Sequence, residues 1–517
     1  MSNQTSGFLA GAHPVMAIGS ALLVLGFVIF TIVDPQYAAT VYDSAKNYIA
    51  SELSWYYIGL MNVFLLLSLY LVFSRFGSIR LGADSDRPEF SLFAWFSMLF
   101  GAGIGIGILF YSIAEPITHF QANPFLDPAL SMTPEAATIA MRLTVMHWGI
   151  HGWALYAVLG LSLAYFSYRK GLPLAIRSSL YPIFGERIYG PIGFVADLLA
   201  VIGTVFGIAT SLGLGAQQMN AGLNYLMGME IAISNQMILI AGISVVATIS
   251  VLSGVNRGIR ILSVFNMRLT ILILLMFLIF GPTSYQLSSL FNTSIDYIIN
   301  VPAMGIWVDP DKTSQWQGWW TIFYWGWWIA WSPFVAVFIA RISRGRTLRE
   351  FVLGVLLAPT GLALLWITLF GSTGMYIELF GDGGVVEAVN KDTTTALFKT
   401  IDLMNLAPWL TIIMASICTI MLVTYFVTSA DSATLVICTL ISMGEQEPAP
   451  RLRIFWGLAV GAVAAVLLYA GGLKALQTAS IVAALPFSFV LIMAAYGLFK
   501  SLYAEPVIST PEATTQE

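Results

Sequence analysis

FGAGIGIGILFYSIAEP, residues 100–116, places glycine at 101, 103, 105 and 107 inside a long apolar run. Four glycines so close together cost a helix roughly 3–4 kcal/mol against alanine. Glycines that seat one helix on another usually recur at a spacing of four, a use that Gly101 with Gly105 and Gly103 with Gly107 would fit. The spacing of two points instead to unwound backbone, its amides and carbonyls freed for a ligand. At membrane depth such backbone is tolerated only beside protein or a cavity.

The surroundings put the segment at that depth. Of 517 residues, 58% are hydrophobic and only 10% charged, whereas soluble domains carry roughly 25% charged residues. The chain therefore meets lipid over most of its area. A hydrocarbon core of about 30 Å takes roughly 20 helical residues to cross, and the apolar runs predict about twelve spans. These are 14–33, 55–74, 91–113, 138–166, 193–225, 236–254, 261–283, 318–340, 353–377, 407–440, 454–471 and 478–499. The fold class is an all-α polytopic membrane protein.

Charge fixes the orientation. Alternate loops collect Arg75, Arg80 and Arg87, then Arg169, Lys170, Arg177 and Arg187, then Arg257, Arg260 and Arg268. Arg341, Arg344, Arg346, Arg349, Arg451, Arg453 and Lys500 bring this side to 17 of 23 basic residues. Lys46, Arg142, Lys312, Lys391, Lys399 and Lys474 fall on the other. Basic loops stay inside, so both termini are expected in the cytoplasm and the protein in the cytoplasmic (inner) membrane. Segment 1–13 has no Lys or Arg, unlike the n-region of a signal peptide. Cys418 and Cys438 lie about 30 Å apart along one predicted helix and cannot bridge. No basic tract suggests nucleic acid.

Three function classes remain: enzyme, channel and carrier. The best enzyme candidate is HWGIH, with His147 and His151 on one helix face, but it lacks a third ligand and the glutamate of H-E-x-x-H. Hydrogen bonding inside the bundle is the better reading of both. Channels need a ring of carbonyls or charges, which twelve dissimilar spans do not make. Carriers carry helices broken by Gly or Pro in corresponding places of two halves. The glycine segment in span three is one such mark. The second is GWWTIFYWGWWIAWSP, residues 318–333, with Gly326 and Pro333 in span eight. Breaks in spans three and eight divide the chain into a cytoplasmic N-terminus (1–13), two accessory helices (14–90), a first five-helix repeat (91–292), an extracytoplasmic loop (293–317), a second repeat (318–500) and a short disordered tail (501–517).

The same stretch holds six of the 15 tryptophans. An interfacial aromatic belt suits Trp319 and Trp320. It does not explain Trp325, Trp327, Trp328 and Trp331, which lie roughly 10–20 Å further in. In span four, HWGIHGWALY carries Trp148, Trp153 and Tyr156, which at about 100° per residue fall within one half of a helix. Two helices with inward rings can build a box that holds a quaternary ammonium by cation–π attraction.

FYWGWWIAWSPFVAVFIARISRGRTLREF closely resembles the signature of the betaine/choline/carnitine transporter family, and MHWGIHGWALY, the glycine segment and FVTSADSA (426–433) agree with it. The resemblance covers all twelve spans. It implies a five-plus-five inverted repeat after two leading helices, a homotrimer, and alternating access for trimethylammonium-type substrates. Carried over, the aromatic box falls on Trp148, Trp153, Tyr156 and Trp328; Trp327, Trp331 and Phe110 line or gate the path, and Ser211 joins the substrate site. Amides around Ala102 and Gly103 receive the substrate carboxylate. A sodium shell is implied from the backbone oxygens of Gly101, Ile104 and Tyr425 with the hydroxyls of Thr428 and Ser429. Those hydroxyls could equally back-bond onto their own helix. A second sodium site would use Thr204 and Phe334, but Ile208 stands where betaine carriers have a hydroxyl. Choline-carrying members tend to hold an acid at the position of Gly107. Osmotically activated members carry long charged termini, whereas the tail after Lys500 has no Lys or Arg, so activity nearly flat with osmolality is expected. Asp431, deep in span ten, could relay protons, but it follows Ser429 by two and reads better as a structural hydrogen-bonding group.

The expected function is import of a betaine-like osmoprotectant zwitterion by sodium symport, with no organic cofactor. The alternative in the same fold is a sodium-independent or proton-coupled carrier or exchanger of choline or carnitine. An integral-membrane enzyme is the alternative outside it.

Overall fold

A computed structural model describes residues 11–103, 105–252, 260–311, 314–445 and 447–505. Ile104, segment 1–10 and the tail beyond 505 lie outside the described residues. The order begins α1 (Pro14–Val33), α2 (Pro35–Glu52), α3 (Ser54–Phe73), α4 (Leu92–Gly103), α5 (Ile106–Gln121), α6 (Pro134–Trp148) and α7 (Ile150–Ala164). It continues with the short α8 (Tyr181–Phe184), then α9 (Pro191–Met227), α10 (Ile233–Leu252), α11 (Arg260–Phe280) and α12 (Thr283–Gly305). The remainder are α13 (Trp316–Trp319), α14 (Thr321–Arg341), α15 (Leu348–Phe380), α16 (Val385–Lys391), α17 (Ala396–Leu403), α18 (Pro408–Ile441) and α19 (Pro450–Tyr503).

Local chemistry sets many of these starts. Proline opens α1, α2, α6, α9, α18 and α19, where its missing N–H leaves no partner wanting. Thr347 and Glu350 form a capping box at the head of α15, and Gly228 ends α9 with φ 74°, a left-handed angle that glycine adopts without strain.

Among the described residues, ten helical stretches are long and apolar enough to cross a membrane. The twelve expected crossings follow from two interruptions. α4 and α5 are each too short to span and together make one broken crossing. α19 is divided at Gly471 and Gly472, so its 54 residues make two. The protein is a multi-pass membrane protein, as its composition required.

Four features depart from the sequence reading. α2 and α12 are additional helices; α12 crosses position 293 and turns much of the expected extracytoplasmic loop helical. Polar residues keep α12 from spanning, and its Asp296 pairs with Arg142 on α6 at 2.5 Å and 2.7 Å. Span eight is not broken at Gly326 or Pro333: α14 runs through both. Gly326 is a packing glycine, because a β-carbon there would lie 2.8 Å from the Ile481 Cα. Pro333 leaves the Ile329 carbonyl without its helical N–H, and the Ser332 hydroxyl donates to that carbonyl at 2.8 Å, which keeps the helix whole. The break of this span lies earlier, at Trp320 (φ −115°, ψ −83°). Span four is broken at Gly149 (φ −93°, ψ −147°). The expected disordered tail is helical as far as Tyr503, and Glu505 is tied down.

α9 packs against α18 and α19, and α14 against α7, α9 and α19. The broken crossing α4–α5 and the break between α6 and α7 both open onto this core.

Candidate functional site

The aromatic cavity forms where two helix interruptions, at Gly105 and Gly149, meet the close contacts of Gly107, Gly152 and Gly207. Gly105, Ile106, Gly107, Trp148, Ser211, Trp327, Trp328, Trp331 and Ser429 line it, enclosing about 10 Å³ of free space. That is roughly the room of one water molecule. The four indoles fill the rest themselves. Trp327 and Trp328 stack at 4.9 Å and 15°, Trp331 stacks on both, and Trp148 meets Trp328 edge-on at 5.1 Å.

Two of the four indoles, Trp327 and Trp328, are held by carbonyls that a glycine or an interruption provides. The break at Gly149 leaves the His147 carbonyl free, and the Trp328 N–H donates to it at 2.9 Å. The amide of Ile150, released by the same break, donates to the Tyr297 hydroxyl at 3.0 Å. The Trp327 N–H donates to the Gly207 carbonyl at 3.1 Å. A β-carbon on Gly207 would stand 3.1 Å from the Trp331 amide nitrogen, and one on Gly152 would stand 2.9 Å from Trp328 Cδ1. Glycine at both lets α14 press its indoles inward.

At Gly105 (φ −144°, ψ −117°) α5 starts with no side-chain cap, so the amides of its first turn lack intrahelical partners. Ala102 and Gly103, the expected carboxylate contacts, belong to the last turn of α4 instead. A helix C-terminus exposes carbonyls rather than amides. The two functions read into the glycine segment are thus separated by polarity: carbonyls at the end of α4, amides at the start of α5.

The other expected residues divide. Ser211 lines the cavity, with its hydroxyl 3.3 Å from the Gly207 carbonyl. Trp153 and Tyr156 lie outside that lining and pair with each other at 5.4 Å and 81°. The break at Gly149 explains the difference, because the angular arithmetic from Trp148 assumed one unbroken helix. Phe110 is buried against Tyr111 at 4.8 Å, also outside the lining. Ser429 reaches the cavity, its hydroxyl 3.6 Å from where a β-carbon on Gly105 would be. Thr428 back-bonds to the carbonyls of Thr424 and Tyr425 at 3.0 Å and 3.1 Å and accepts from Asn266 at 3.2 Å. Gly101 lies in the last turns of α4, while Ile104 lies outside the described residues. Thr204 keeps a buried hydroxyl without a partner, and Phe334 packs on Trp331 at 5.8 Å. Asp431 accepts from Ser250 at 2.7 Å and from Ser432 at 3.2 Å, the hydrogen-bonding role read for it.

One cluster was missed. Glu115, His119 and His147 are fully buried, with candidate ligand atoms all within 4.8 Å of one another, directly behind the Trp148 indole. Their number suits a metal, yet the short Glu115–His147 contact of 2.6 Å is a hydrogen bond. The other imidazole nitrogens meet Thr321 at 3.1 Å and Trp316 at 3.4 Å. HWGIH was read as lacking a third ligand, and the fold corrects this by bringing Glu115 and His119 to His147. Glu115 and His119 stand at i, i+4, and that spacing next to HWGIH was the available signal. His151 sits apart, 3.4 Å from the Asn62 side-chain oxygen.

Broken crossings that meet at a buried, uncharged aromatic cavity define a carrier-type membrane protein. A profile described as "BCCT, betaine/carnitine/choline family transporter" matches residues 14–507, and the chain belongs to that family. It is 43% identical over 494 residues to the glycine betaine transporter OpuD of Bacillus subtilis, covering 95% of this chain and 94% of that protein. It is 41% identical over 496 residues to a probable glycine betaine transporter of Desulfitobacterium hafniense, covering 95% and 98%. A high-affinity choline transport protein of Escherichia coli is 41% identical over 499 residues, covering 95% of this chain and 72% of that protein.

Proposed function

We propose that the protein imports a betaine-type zwitterion, such as glycine betaine, by sodium symport and alternating access. The reading assigns it to the cytoplasmic membrane as a homotrimer with both termini inside. The observation that carries it is the cavity lining: four indoles, two serines and the uncapped start of α5, with no charged residue. The indole faces suit a trimethylammonium group, and the first-turn amides suit its carboxylate. A cavity of about 10 Å³ admits a substrate only when the helices part, as an alternating carrier requires. Ser429, Thr428 and the terminal carbonyls of α4 supply the oxygens a sodium ion needs.

The test is uptake of labelled glycine betaine into proteoliposomes. Accumulation driven by an inward sodium gradient is expected. Equal uptake in sodium and potassium buffers overturns the coupling, and absence of betaine uptake in either overturns the substrate.

A further inference from the structure

The buried carboxylate of Glu115 touches no part of the cavity, yet it grips the ring that forms one wall. The Trp148 indole presents its Cη2 corner toward Gly107 and the cavity, 2.8 Å from where a β-carbon on Gly107 would be. Its N–H, on the opposite edge, donates to Glu115 Oε2 at 3.0 Å. The Tyr324 hydroxyl donates to the same oxygen, and its ring lies 5.7 Å from that of Trp328. On the other oxygen, His147 Nδ1 stands at 2.6 Å and His119 Nε2 at 3.5 Å. An indole N–H can only donate. Trp316 therefore makes His119 Nδ1 an acceptor, 3.4 Å away, and leaves the His119 proton on Nε2, facing Glu115. Two donors converge on Oε2 and two imidazoles face Oε1, the surroundings of an ionised acid. Among the described residues no Lys or Arg pairs with it; its ion-pair partners are the two histidines.

We propose that Glu115 is a specificity-determining positioning residue: its carboxylate, hydrogen-bonded to the Trp148 N–H, enriches that indole face and strengthens its hold on a cationic ammonium group. An N–H donated to an anion pushes electron density into the ring, and cation–π attraction grows with that density. In a dry interior the carboxylate's own field also reaches the cavity with little screening. The negative charge stands one indole away from the cation, so it selects for positive charge without entering the site or meeting the substrate's carboxylate. The inference rests on the reading of the cavity as an ammonium site.

The experiment compares two ligands of one shape. In 3,3-dimethylbutanoate a carbon replaces the nitrogen of glycine betaine, keeping the three methyls and the carboxylate but removing the positive charge. Dissociation constants are measured by competition on the purified full chain. The original protein is expected to prefer glycine betaine. Glu115→Gln, which keeps size and removes charge, is expected to weaken glycine betaine about tenfold and not to weaken the isostere, which carries no cation for the ring to attract. A general packing defect would weaken both ligands alike, and that outcome overturns the proposal. Trp148→Phe retains a ring and drops the N–H, so adding Glu115→Gln to it is expected to cost less than about twofold more. If Glu115→Gln does not assemble, Trp148→Phe alone decides: an undiminished preference for the cation refutes the proposal. Should the original protein itself fail to distinguish the two ligands, the ammonium-site reading falls first, an outcome separate from a Glu115 variant that still distinguishes them.

Discussion

Trp328 does two jobs in one side chain. Its face contributes to the cavity, and its N–H occupies the His147 carbonyl at 2.9 Å. Trp328→Leu keeps an apolar, though smaller, side chain and removes both. The lost π face is expected to weaken glycine betaine binding by about 1–2 kcal/mol, and the orphaned carbonyl to lower stability by about 1 kcal/mol. Calorimetric titration beside a thermal melt separates the two; unchanged affinity with a lowered melting point would make this tryptophan structural only. Thr428 and Ser429 pose the complementary question for the ion. Thr428 back-bonds within α18, whereas Ser429 turns toward the cavity, so the two hydroxyls are not equivalent. Replacing both with alanine is expected to abolish sodium stimulation of uptake. Persistent stimulation would move the ion elsewhere. Such inequality is not legible in a sequence, where adjacent hydroxyls look alike. It depends on which face of a helix meets the broken crossing.

At the scale of helices, the informative positions are those where hydrogen bonding stops and something else must take over. The spacing of glycines at 101–107 announced one interruption, because no continuous helix tolerates it cheaply. The lone Gly149 announced nothing, since a single glycine inside an apolar span is common. Its break depends on a partner 147 residues away, the Tyr297 hydroxyl that receives the Ile150 amide. Gly326 and Pro333 gave the opposite error: they look like breakers, but Ser332 repairs the ladder and Ile481 needs the space. Composition and charge therefore conveyed the number of crossings, while long-range partners decided where they bend. Trp153 and Tyr156 left the box for the same reason, on the far side of an unannounced break. Tyr297→Phe tests the repair at Gly149. It leaves a buried amide unpaired and is expected to cost about 1–3 kcal/mol in thermal or denaturant unfolding. A cost near zero would mean that water or another group replaces the hydroxyl.

For the whole molecule, charge is arranged at its margins and kept out of the cavity lining. At one margin the last helix is latched by Glu505, which meets Lys170 at 2.7 Å, the Tyr165 hydroxyl at 2.6 Å and Arg169 at 3.2 Å. Burial works against its charge, but the hydrogen bonds from Lys170, Tyr165 and Arg169 outweigh it and bring the carboxyl down to about 2 from an ordinary 4.5. A lowered value means the ionised form is favoured by folding. The latch therefore contributes fully above about pH 4.5 and is lost as pH falls through about 2. Amide exchange in the last turn of α19, corrected for intrinsic pH dependence, is expected to quicken only in that window, and Glu505→Gln to quicken it at neutral pH. At the centre no charged residue lines the cavity among the described residues, and no Asp or Glu stands between Glu89 and Glu115. Glu115 itself is behind Trp148. A zwitterion brings its own counter-charge into this space, and its carboxylate can take the uncapped amides of α5. Choline brings the cation alone and leaves those amides bare, which costs the desolvation of each unmatched donor. Glycine betaine is therefore expected to be transported and choline poorly. Gly107→Asp would place an acid among the indoles and is expected to shift preference toward choline. The gain carries a packing cost, since the new β-carbon would lie 2.6 Å from Trp327 Cη2 and 2.8 Å from Trp148 Cη2, so the maximal rate should fall as the preference moves. Competition decides the matter: excess choline should barely reduce labelled betaine uptake, and strong inhibition accompanied by comparable choline transport would assign the cavity to a bare cation instead.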